Sequence, residues 1–433
     1  MSFDPTRRRG KGVAGAHARQ VPADPHQGTR RDFLRRHEAE AVAAARGTAR
    51  AKKAFARKLL PRAADSRNLR TAWGYLAAEG GQAPGIDGLR FDELEDHEVW
   101  RLVRALGKAL KDDTYRPGPD RKVPIPKAGG AGTRVLSIPS VEDRLVQRAV
   151  VQVLQPYLDR FLGGGCLGFR PGLGINEAVA LAERLAVEEG RWAWLAEDLK
   201  NAFDNVPQRR LLDALHTLLP DGRMMRLLGR LVETDGGIGI RQGGPLSPLL
   251  LNVYLNHFLD RKWGRLFAGV SLLRWADDVL ILTRTRQEAL QAYQGLGQLL
   301  LPAGMRLKGT PEQAVHDLRG GAEAVWLGFR FRKAEGGLEV LLTERSWKRL
   351  SERLELCHEK DCSSIRAVET IFGWVSQMGP CLPTTDVDGA YARVVSLARG
   401  LGFDELPPIE GIRRSWHQAY LRWVRCRKLP GQA

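Results

Sequence analysis

Two apolar segments, WAWLAEDL and SLLRWADDVLILT, carry aspartates among residues that are typical of buried strands. Asp198 lies near the end of the first segment, while Asp277 and Asp278 interrupt the second, which predicts two short strands joined by a turn. Carboxylates at the edge of an apolar core cost free energy unless cations compensate them. The 79 residues between Asp198 and Asp277 leave room for helices, so both segments can be neighbours in one sheet.

A cluster of three aspartates on two neighbouring strands is what nucleotidyl transfer with two divalent metal ions requires. Hard oxygen ligands suit Mg²⁺, and two ions about 4 Å apart stabilise the attacking and the leaving oxygen of an in-line displacement. The sequence therefore predicts Asp198, Asp277 and Asp278 as catalytic residues and as metal ligands. Leu199, directly after Asp198, is assigned to the same metal site.

The net charge of +17 indicates a polyanionic partner, because clustered lysine and arginine residues bind phosphates by displacing counterions. The charge is concentrated near the start of the chain. Residues 1–62 contain 16 of the 67 Lys and Arg residues but only 5 of the 50 Asp and Glu residues. Since basic tails also serve merely to keep proteins in solution, the charge alone leaves both interpretations open.

The sequence lacks the patterns of a membrane-spanning helix and of a secretory signal. No run of 18 uncharged apolar residues occurs, and the early TRRRG is followed by polar, glycine-rich sequence. Five cysteines, an odd number scattered through a long chain, predict reduced thiols rather than a disulfide framework. We therefore expect a cytoplasmic protein without a membrane partner.

Local patterns predict helices and strands around the two apolar segments. The stretch YRPGPDRKVPIPKAGGAGTRVLSIP, with β-type residues on both sides of a glycine turn, predicts a hairpin. Ser247 and Pro248 are predicted as the N-cap and first-turn residues of a helix through LLLNVYLNHFLDRKW. Trp416, Tyr420 and Trp423 share one face of a basic helix and are interpreted as a packing stripe. The first 30 residues have no apolar period and are predicted to be disordered.

Several motifs in a fixed order resemble those of the reverse transcriptases encoded by group II introns and of their bacterial relatives. The resemblance runs from about Leu59 to Phe331. Its motifs are, in chain order, GIDG, VPIPKAGGAGTRVLSIPSVEDRLVQRAV, LGFRPGLG, AEDLKNAFDNV, IRQGGPLSPLLLNVYLN, RWADDVLIL and WLGFRF. The resemblance implies, in the same order, an early turn, a fingers hairpin with the following helix, and a segment with a template or structural role. The last four motifs imply, in chain order, a first catalytic strand, a glutamine–glycine motif, a metal-binding turn and a primer-grip strand.

The resemblance also implies which residues contact the incoming nucleotide. Lys127 and Arg134 of the hairpin are placed on its triphosphate, where two cations offset the negative charge. Phe203 is placed where an aromatic ring blocks a 2′-hydroxyl, with a plain core role left open. Gln242 and Gly243 are placed against the nucleotide and the template.

Three features depart from the family pattern. Trp275 stands two residues before Asp277, where the family usually has tyrosine or occasionally phenylalanine, and a larger ring beside the primer end is expected to alter nucleotide preference or fidelity. Trp275 is therefore included among the nucleotide-binding residues. The segment GMRLKGTPEQAVHDL has Gln313 and Ala314 in the register of a functional lysine and threonine, with Lys308 as a candidate substitute. After Thr343 the resemblance to a helical thumb is loose, and no endonuclease motif follows.

The implied architecture is α+β, namely a right-hand polymerase with fingers and palm, an antiparallel palm sheet and a helical thumb. We expect a basic, partly disordered or helical N-terminal arm at residues 1–58 and the reverse transcriptase fingers and palm at residues 59–342. A helical thumb or maturase-like region that binds nucleic acid is expected at residues 343–433.

The implied function is RNA-directed DNA synthesis with two Mg²⁺ ions, for which Mn²⁺ can substitute. Expected partners are an RNA template, a DNA or RNA primer and dNTPs, with a dedicated non-coding or intron RNA as a further candidate. A non-catalytic intron maturase or RNA chaperone stays open as a different class of function, as do RNA synthesis and untemplated tailing among polymerases. The missing endonuclease motif and the loose thumb match favour a domesticated role such as phage defence.

Overall fold

The computed structural model of the protein describes residues 27–126, 133–359 and 363–428. Most of the stretch predicted to be disordered lies outside these ranges. No helix within them is both long and apolar enough to cross a membrane. The α-helices of the described residues are, in chain order, α1 (Gln27–Arg46), α2 (Ala49–Ala63), α3 (Ser66–Glu79), α4 (Asp96–Lys111), α5 (Val141–Leu158), α6 (Ile175–Val187), α7 (Gln208–Leu218), α8 (Gly222–Val232), α9 (Ser247–Leu255), α10 (Arg261–Leu266), α11 (Arg286–Leu300), α12 (Pro311–Ala314), α13 (Glu344–Glu355), α14 (Ser363–Gln377), α15 (Val387–Gly400) and α16 (Ile409–Lys428).

The strands of the described residues form three separate antiparallel sheets. A hairpin pairs β1 with β2, a four-stranded sheet has the order β4-β5-β3-β6, and a three-stranded sheet has the order β7-β8-β9. Helices combined with antiparallel sheets confirm the predicted α+β class, the predicted hairpin and the antiparallel palm sheet. The strands are β1 (Arg121–Pro126), β2 (Thr133–Ile138), β3 (Ala193–Asp198), β4 (Ser271–Trp275), β5 (Asp278–Thr283), β6 (Val315–Asp317), β7 (Ala324–Trp326), β8 (Phe329–Ala334) and β9 (Gly337–Leu342).

The four-stranded sheet lies between two hydrophobic cores. On β3, Leu195 belongs to the larger core and its neighbour Trp194 to the smaller one. On β5, Ile281 and Leu280 divide between the two cores in the same way. Successive side chains of a strand point to opposite faces, so a sheet covered on both faces requires apolar residues at every position. This requirement explains why both aspartate-bearing segments are continuously apolar.

Helices α1, α2 and α3 pack against α5 on one side of the larger core. The buried His37 of α1 places its Nε2 atom 2.8 Å from the carbonyl oxygen of Val153. Asn68 of α3 donates from Nδ2 to the carbonyl oxygen of Ala149 at 2.9 Å. The boundary predicted after residue 58 falls within α2, so the helical part of the N-terminal arm is packed onto the following helices.

The last helix, α16, packs against α6 and α14 within the smaller core. Trp416 and Trp423 are buried, Tyr420 is half-buried, and the five arginines of the helix are exposed. Trp416 Nε1 donates to the carbonyl oxygen of Met378 at 2.7 Å. The predicted packing stripe is therefore confirmed.

Helix α9 corrects one detail of the sequence analysis. The predicted N-cap role of Ser247 is wrong, because the chain is already helical at Leu246, which occupies the N-cap position. Ser247 is buried, and its hydroxyl donates to the carbonyl oxygen of Arg241 at 2.6 Å. Pro248 does lie in the first turn, where its fixed φ and missing N–H are tolerated.

Candidate active site

The three predicted aspartates lie at one end of the four-stranded sheet. Asp198, the last residue of β3, and Asp278, the first residue of β5, are register partners in an antiparallel pair. Asp277 lies in the turn between β4 and β5, and its carbonyl oxygen accepts a hydrogen bond from the Leu199 N–H at 2.9 Å. The fold thus brings these four residues together, as expected for neighbouring strands.

The turn between β4 and β5 requires an unusual backbone conformation. Ala276, its first residue, has a φ of 58°, which lies in the left-handed region that tight hairpins need. Gly168, from the LGFRPGLG motif, lies directly against this turn. A Cβ atom on Gly168 would be 2.7 Å from the Ala276 nitrogen, so only glycine allows this approach. The LGFRPGLG motif is therefore part of the support of the turn.

A buried arginine holds the turn from the protein interior. Arg274 of β4 is fully buried, and its guanidinium donates to the Ala276 carbonyl oxygen at 2.8 Å and to Asn252 Oδ1 at 2.9 Å. It also pairs with both carboxylate oxygens of Asp260, at 2.7 and 3.0 Å, and lies 3.1 Å from Cys166 Sγ. Burial alone would lower the pKa of Arg274, but Asp260 and Cys166 raise it above its usual value. The guanidinium is therefore a charged, fixed part of the scaffold.

Burial and like charges act on two of the three carboxyl groups. Burial, followed by the negative charge of Asp198, raises the pKa of Asp277. Burial also raises the pKa of Asp278 well above its usual value, and the charges of Asp198 and Asp277 add to this shift. Like charges in a desolvated site disfavour ionisation unless cations join them. The electrostatics of this end of the sheet therefore favour the binding of cations.

One cation of the chain already lies at the site. Lys308 Nζ is 3.2 Å from Asp198 Oδ2, and the Lys308 N–H donates to the Asp198 carbonyl oxygen at 3.1 Å. The two side chains are 66% and 44% exposed, and ion pairs between such groups contribute about 0–1 kcal/mol. Gln313 instead accepts a hydrogen bond from the Thr310 N–H at 3.3 Å, and Ala314 is buried. The candidate substitute Lys308 is therefore the residue of that segment that reaches the aspartates.

The oxygen ligands at this site suit magnesium, but their side chains are not in positions that would bind it. Carboxylate oxygens are the ligands that Mg²⁺ prefers, and Leu199, whose side chain is apolar and buried, can add only its main-chain carbonyl. Within the residues that the structure describes, however, no three His, Cys, Asp or Glu side chains are arranged to hold a metal ion. Asp198, the carboxylate predicted to join the buried pair, is paired with Lys308.

Glu197 links the first aspartate strand to the segment that carries the lysine. Its Oε1 accepts a hydrogen bond from the Asp198 N–H at 2.8 Å, and its Oε2 accepts one from the Gly309 N–H at 3.1 Å. Tyr293 of α11 donates from its hydroxyl to the Gly309 carbonyl oxygen at 2.7 Å. Burial raises the pKa of the Glu197 carboxyl. These contacts fix the position of Lys308 relative to β3.

Phe203 and Gln242 belong to a second group of predicted residues that the fold also brings together. Phe203 begins a short 3₁₀ turn after β3, and its carbonyl oxygen accepts a hydrogen bond from the Ile240 N–H at 2.8 Å. Gln242 Nε2 donates to Asp204 Oδ1 at 3.1 Å. The Phe203 ring is half-buried and packs against the larger core, so a core role stays open beside the predicted one.

Strand β2 lies directly against the segment of Gln242 and Gly243. The Ser137 N–H donates to the Gln242 carbonyl oxygen at 2.8 Å. Gly243 has a φ of 106°, and a Cβ atom there would be 2.9 Å from the Ser137 carbonyl oxygen, so the close approach requires glycine. Arg134 is part of β2, whereas Lys127 lies outside the described residues.

Trp275, which departs from the family pattern, ends β4 and is the register partner of Asp278. Its side chain is half-buried and packs against the smaller core. The structure therefore places Trp275 beside the aspartate pair on the neighbouring strand. Its contact with a nucleotide or a primer stays a prediction.

Sequence reasoning missed Arg274 and Glu197 as supports of the site. A signal for Arg274 was present, because a single cation within the apolar segment SLLRWADDVLILT must find a buried partner. The sequence does not identify Asp260 as that partner. No comparable signal marks Glu197, since nothing in the sequence distinguishes its carboxylate from that of the adjacent Asp198.

Comparisons with known proteins assign these motifs to a family. Residues 125–331 match the sequence model of the family described as reverse transcriptase (RNA-dependent DNA polymerase). Protein YkfC of Escherichia coli (strain K12) is 34% identical over 206 residues, and the group II intron-encoded protein LtrA of Lactococcus lactis subsp. cremoris is 31% identical over 193 residues. Residues 125–331 form a reverse transcriptase domain, which is similar to these group II-like proteins.

The family match begins in β1 and ends in β8, so it includes the end of β1, all of β2 and all three aspartates. The alignments cover 45% and 42% of the chain. They span 54% of YkfC and 31% of LtrA, so the chain corresponds to about half of the first relative and a third of the second. Among solved structures, a chain of the partial Cas6-RT-Cas1–Cas2 complex aligns with 56% of this chain and 41% of its own length, at 24% identity and a TM-score of 0.35.

Proposed function

We propose that this chain synthesises DNA on an RNA template by two-metal nucleotidyl transfer. One observation carries the proposal, namely that Asp198 and Asp278 are register partners at the end of two hydrogen-bonded strands, with Asp277 in the adjoining turn. Burial and mutual repulsion raise the pKa of both Asp277 and Asp278. Such an arrangement costs stability, and groups with shifted pKa values gather at functional sites.

In the proposed reaction the residues of the site have separate tasks. Asp198, Asp277 and Asp278 would hold two Mg²⁺ ions, or Mn²⁺ in their place, together with the Leu199 carbonyl. When bound, these ions activate the primer 3′-hydroxyl and stabilise the leaving pyrophosphate. Lys308, which pairs with Asp198 in this structure, would be free to neutralise charge on the triphosphate if Asp198 held a metal ion.

The remaining predicted residues are proposed to position the substrates. Gln242 and Gly243 would contact the nucleotide and the template, a role supported by the close packing of Gly243 on β2. Lys127 and Arg134 would bind the triphosphate, and Trp275 would lie beside the primer end. A hairpin that contacts both the triphosphate and the Gln242 segment would align the reacting groups before the chemical step.

Phe203→Val is expected to raise the use of ribonucleotides relative to deoxyribonucleotides by about tenfold to a hundredfold. A shortened side chain leaves room for a 2′-hydroxyl, and apolar pockets reject an added hydroxyl group by factors of about a hundred. The measurement compares kcat/KM for dCTP and CTP in single-nucleotide primer extension. The ratio of the two values reports discrimination independently of any loss of active protein.

Phe203→Tyr is the matched control, because it keeps the ring and should keep the discrimination. If Phe203 serves only the core, Phe203→Val lowers the free energy of unfolding and leaves the ratio of kcat/KM values unchanged. That result would show that Phe203 does not select the nucleotide, and it would not contradict the proposed polymerase activity.

The proposed function is tested with the purified full chain, a primer annealed to an RNA template, and dNTPs or NTPs offered separately. Template-dependent incorporation of dNTPs is expected, with little incorporation of NTPs and none when metal is chelated. A non-catalytic maturase or RNA chaperone would bind the RNA without incorporating nucleotides. Incorporation without a template would instead indicate tailing.

A domesticated role such as phage defence rests on the sequence resemblance, whereas a cytoplasmic location rests on the lack of membrane-spanning and secretory patterns. Both stay predictions. Phage plating can be compared on cells that carry the chain and on cells that carry its Asp278→Asn variant. A defence role requires that only the unchanged chain reduces plating. A dedicated non-coding or intron RNA partner can be sought among the RNAs that co-purify with the chain.

A further inference from the structure

The base of the hairpin is joined to the Gln242 segment by a closed ring of contacts. Asp120 lies directly before β1, and its Oδ2 accepts a hydrogen bond from Arg241 Nε at 2.8 Å. Ser137, near the end of β2, donates from its N–H to the Gln242 carbonyl oxygen at 2.8 Å. Lys122 of β1 connects the two arms, because its Nζ donates to Ser137 Oγ at 2.8 Å and lies 3.8 Å from Asp120 Oδ2. Both arms of the hairpin are thus held by two adjacent residues, Arg241 and Gln242.

The ion pair between Asp120 and Arg241 is largely withdrawn from water. The two side chains are 5% and 11% exposed. Arg241 also donates from Nη1 to the Leu231 carbonyl oxygen in the last turn of α8, and its own carbonyl oxygen accepts a hydrogen bond from Ser247. A planar guanidinium that is held on two sides has a fixed direction, which a flexible ammonium group lacks. The pair therefore fixes where the hairpin begins relative to α8.

A second buried carboxylate holds the segment that leads into β1. Asp143 of α5 accepts a hydrogen bond from the Gly118 N–H at 3.0 Å and another from the Tyr115 hydroxyl. Burial raises the pKa of Asp143, and the positive charge of Arg241 opposes this shift. One cation, Arg241, thus acts on two buried carboxylates at the start of the hairpin.

The physical role of this pair is to orient the hairpin rather than to stabilise the fold. Buried ion pairs add little net stability, since apolar residues of similar volume often stabilise the same position as well or better. The hairpin is a two-stranded sheet of its own, and such a sheet has little stability by itself. Its orientation therefore depends on directional contacts at its base. The pair supplies one directly beside Gln242 and Gly243.

We propose that Arg241 is a positioning residue that, through Asp120, aligns the hairpin with the Gln242 segment for nucleotide binding. The inference rests on the proposed function, in which Arg134 of the hairpin binds the triphosphate and Gln242 contacts the nucleotide. Groups on both sides must reach one nucleotide, so a hairpin that tilts relative to Gln242 loses binding energy. This loss affects the bound substrate and the transition state alike, so KM for the nucleotide should rise while kcat changes little.

The first test measures KM and kcat for dCTP in single-nucleotide primer extension by the purified full chain. Arg241→Met and Asp120→Leu are each expected to raise KM about tenfold and to change kcat by less than about twofold. The double variant that combines them contains neither buried charge, so it should recover the urea midpoint of the unchanged chain but not its KM. Arg241→Lys keeps the charge without the planar guanidinium and should raise KM by a smaller factor.

The second test follows hydrogen exchange of the β2 amides by mass spectrometry and needs no catalysis. The N–H of the buried Ser137 is bonded to the Gln242 carbonyl oxygen, so it should exchange slowly in the unchanged chain. Arg241→Met and the double variant should each speed this exchange about tenfold, while the amides of β3 and β5 stay protected. Arg226→Met is the matched control. Arg226 pairs with Asp113 at 3.2 Å through side chains that are 54% and 40% exposed, so its loss should change neither KM nor the exchange of Ser137.

A double variant that recovers KM together with the urea midpoint would overturn the proposal, because the pair would then serve stability alone. Unchanged KM or unchanged Ser137 exchange in Arg241→Met would overturn it as well, while template-dependent extension by the unchanged chain would still support the proposed function. Faster Ser137 exchange in variants of a chain that shows no primer extension would support the alignment of the hairpin by Arg241 and refute the polymerase. The two proposals can therefore fail separately.

Discussion

Asp278→Asn is expected to reduce primer extension on an RNA template by at least about a thousandfold. Asparagine keeps the shape of the side chain but removes the negative charge that would hold divalent cations. The several kcal/mol of transition-state stabilisation that such cations provide correspond to a factor of this size. The measurement is the rate of dNTP incorporation by the purified full chain over a series of Mg²⁺ and Mn²⁺ concentrations.

The same variant should fold at least as stably as the unchanged protein in the absence of metal. Because folding raises the pKa of Asp277 and Asp278, the native state retains protons that the unfolded chain releases above about pH 3.9. Stability is thus present at low pH and is lost as the pH rises towards the raised pKa values. A neutral side chain at position 278 should make this loss of stability smaller. Urea unfolding at acidic and at neutral pH measures the difference.

Asp213→Asn is the matched control for the loss of activity. Asp213 is exposed on α7, so its replacement should change neither primer extension nor the pH dependence of stability. Near-normal extension by Asp278→Asn would refute the proposed mechanism. If Asp278→Asn gains stability and loses activity, the carboxylate serves function although it destabilises the fold.

The pairing of the two aspartate-bearing strands was predictable because a strand that is buried on both faces has a continuously apolar sequence. Residues that alternate between two cores must all be apolar, and both segments are. The interrupting aspartates then had to lie at a sheet end, since charged groups there avoid the cores. The register that makes Asp198 the partner of Asp278 was not predictable, because it depends on the length of the turn and on Arg274 behind it.

Other features depend on contacts between distant parts of the chain, which local patterns do not contain. Lys308 reaches Asp198 because Leu307 forms a bridge with Leu199, and an alignment by motif pointed to Gln313 instead. His37 lies against Val153, 116 residues away, so the packing of the N-terminal helices was also missed. Helical periodicity predicts that a segment is a helix, but not which surface covers it.

Arg274→Met is expected to lower the free energy of unfolding by about 3–5 kcal/mol, the usual cost of removing one partner of a buried ion pair. The Asp260 side chain is 11% exposed and would keep a buried negative charge without its cation. The carbonyl oxygen of Ala276 and the amide of Asn252 would also lose their donor. The measurement is the urea midpoint, followed by tryptophan fluorescence and compared at an unchanged slope.

Arg230→Met is the matched control, because Arg230 pairs with Asp113 at 2.6 Å but the two side chains are 20% and 40% exposed. Pairs in contact with water contribute about 0–1 kcal/mol, so this variant should cost several-fold less than Arg274→Met. Combining Arg274→Met with Asp260→Leu should recover much of the lost stability, since no buried charge then remains. Equal costs for the two single variants would show that Arg274 is not a charge-paired support. Recovery of stability without recovery of primer extension would show that the guanidinium also serves to position the turn that carries Asp277.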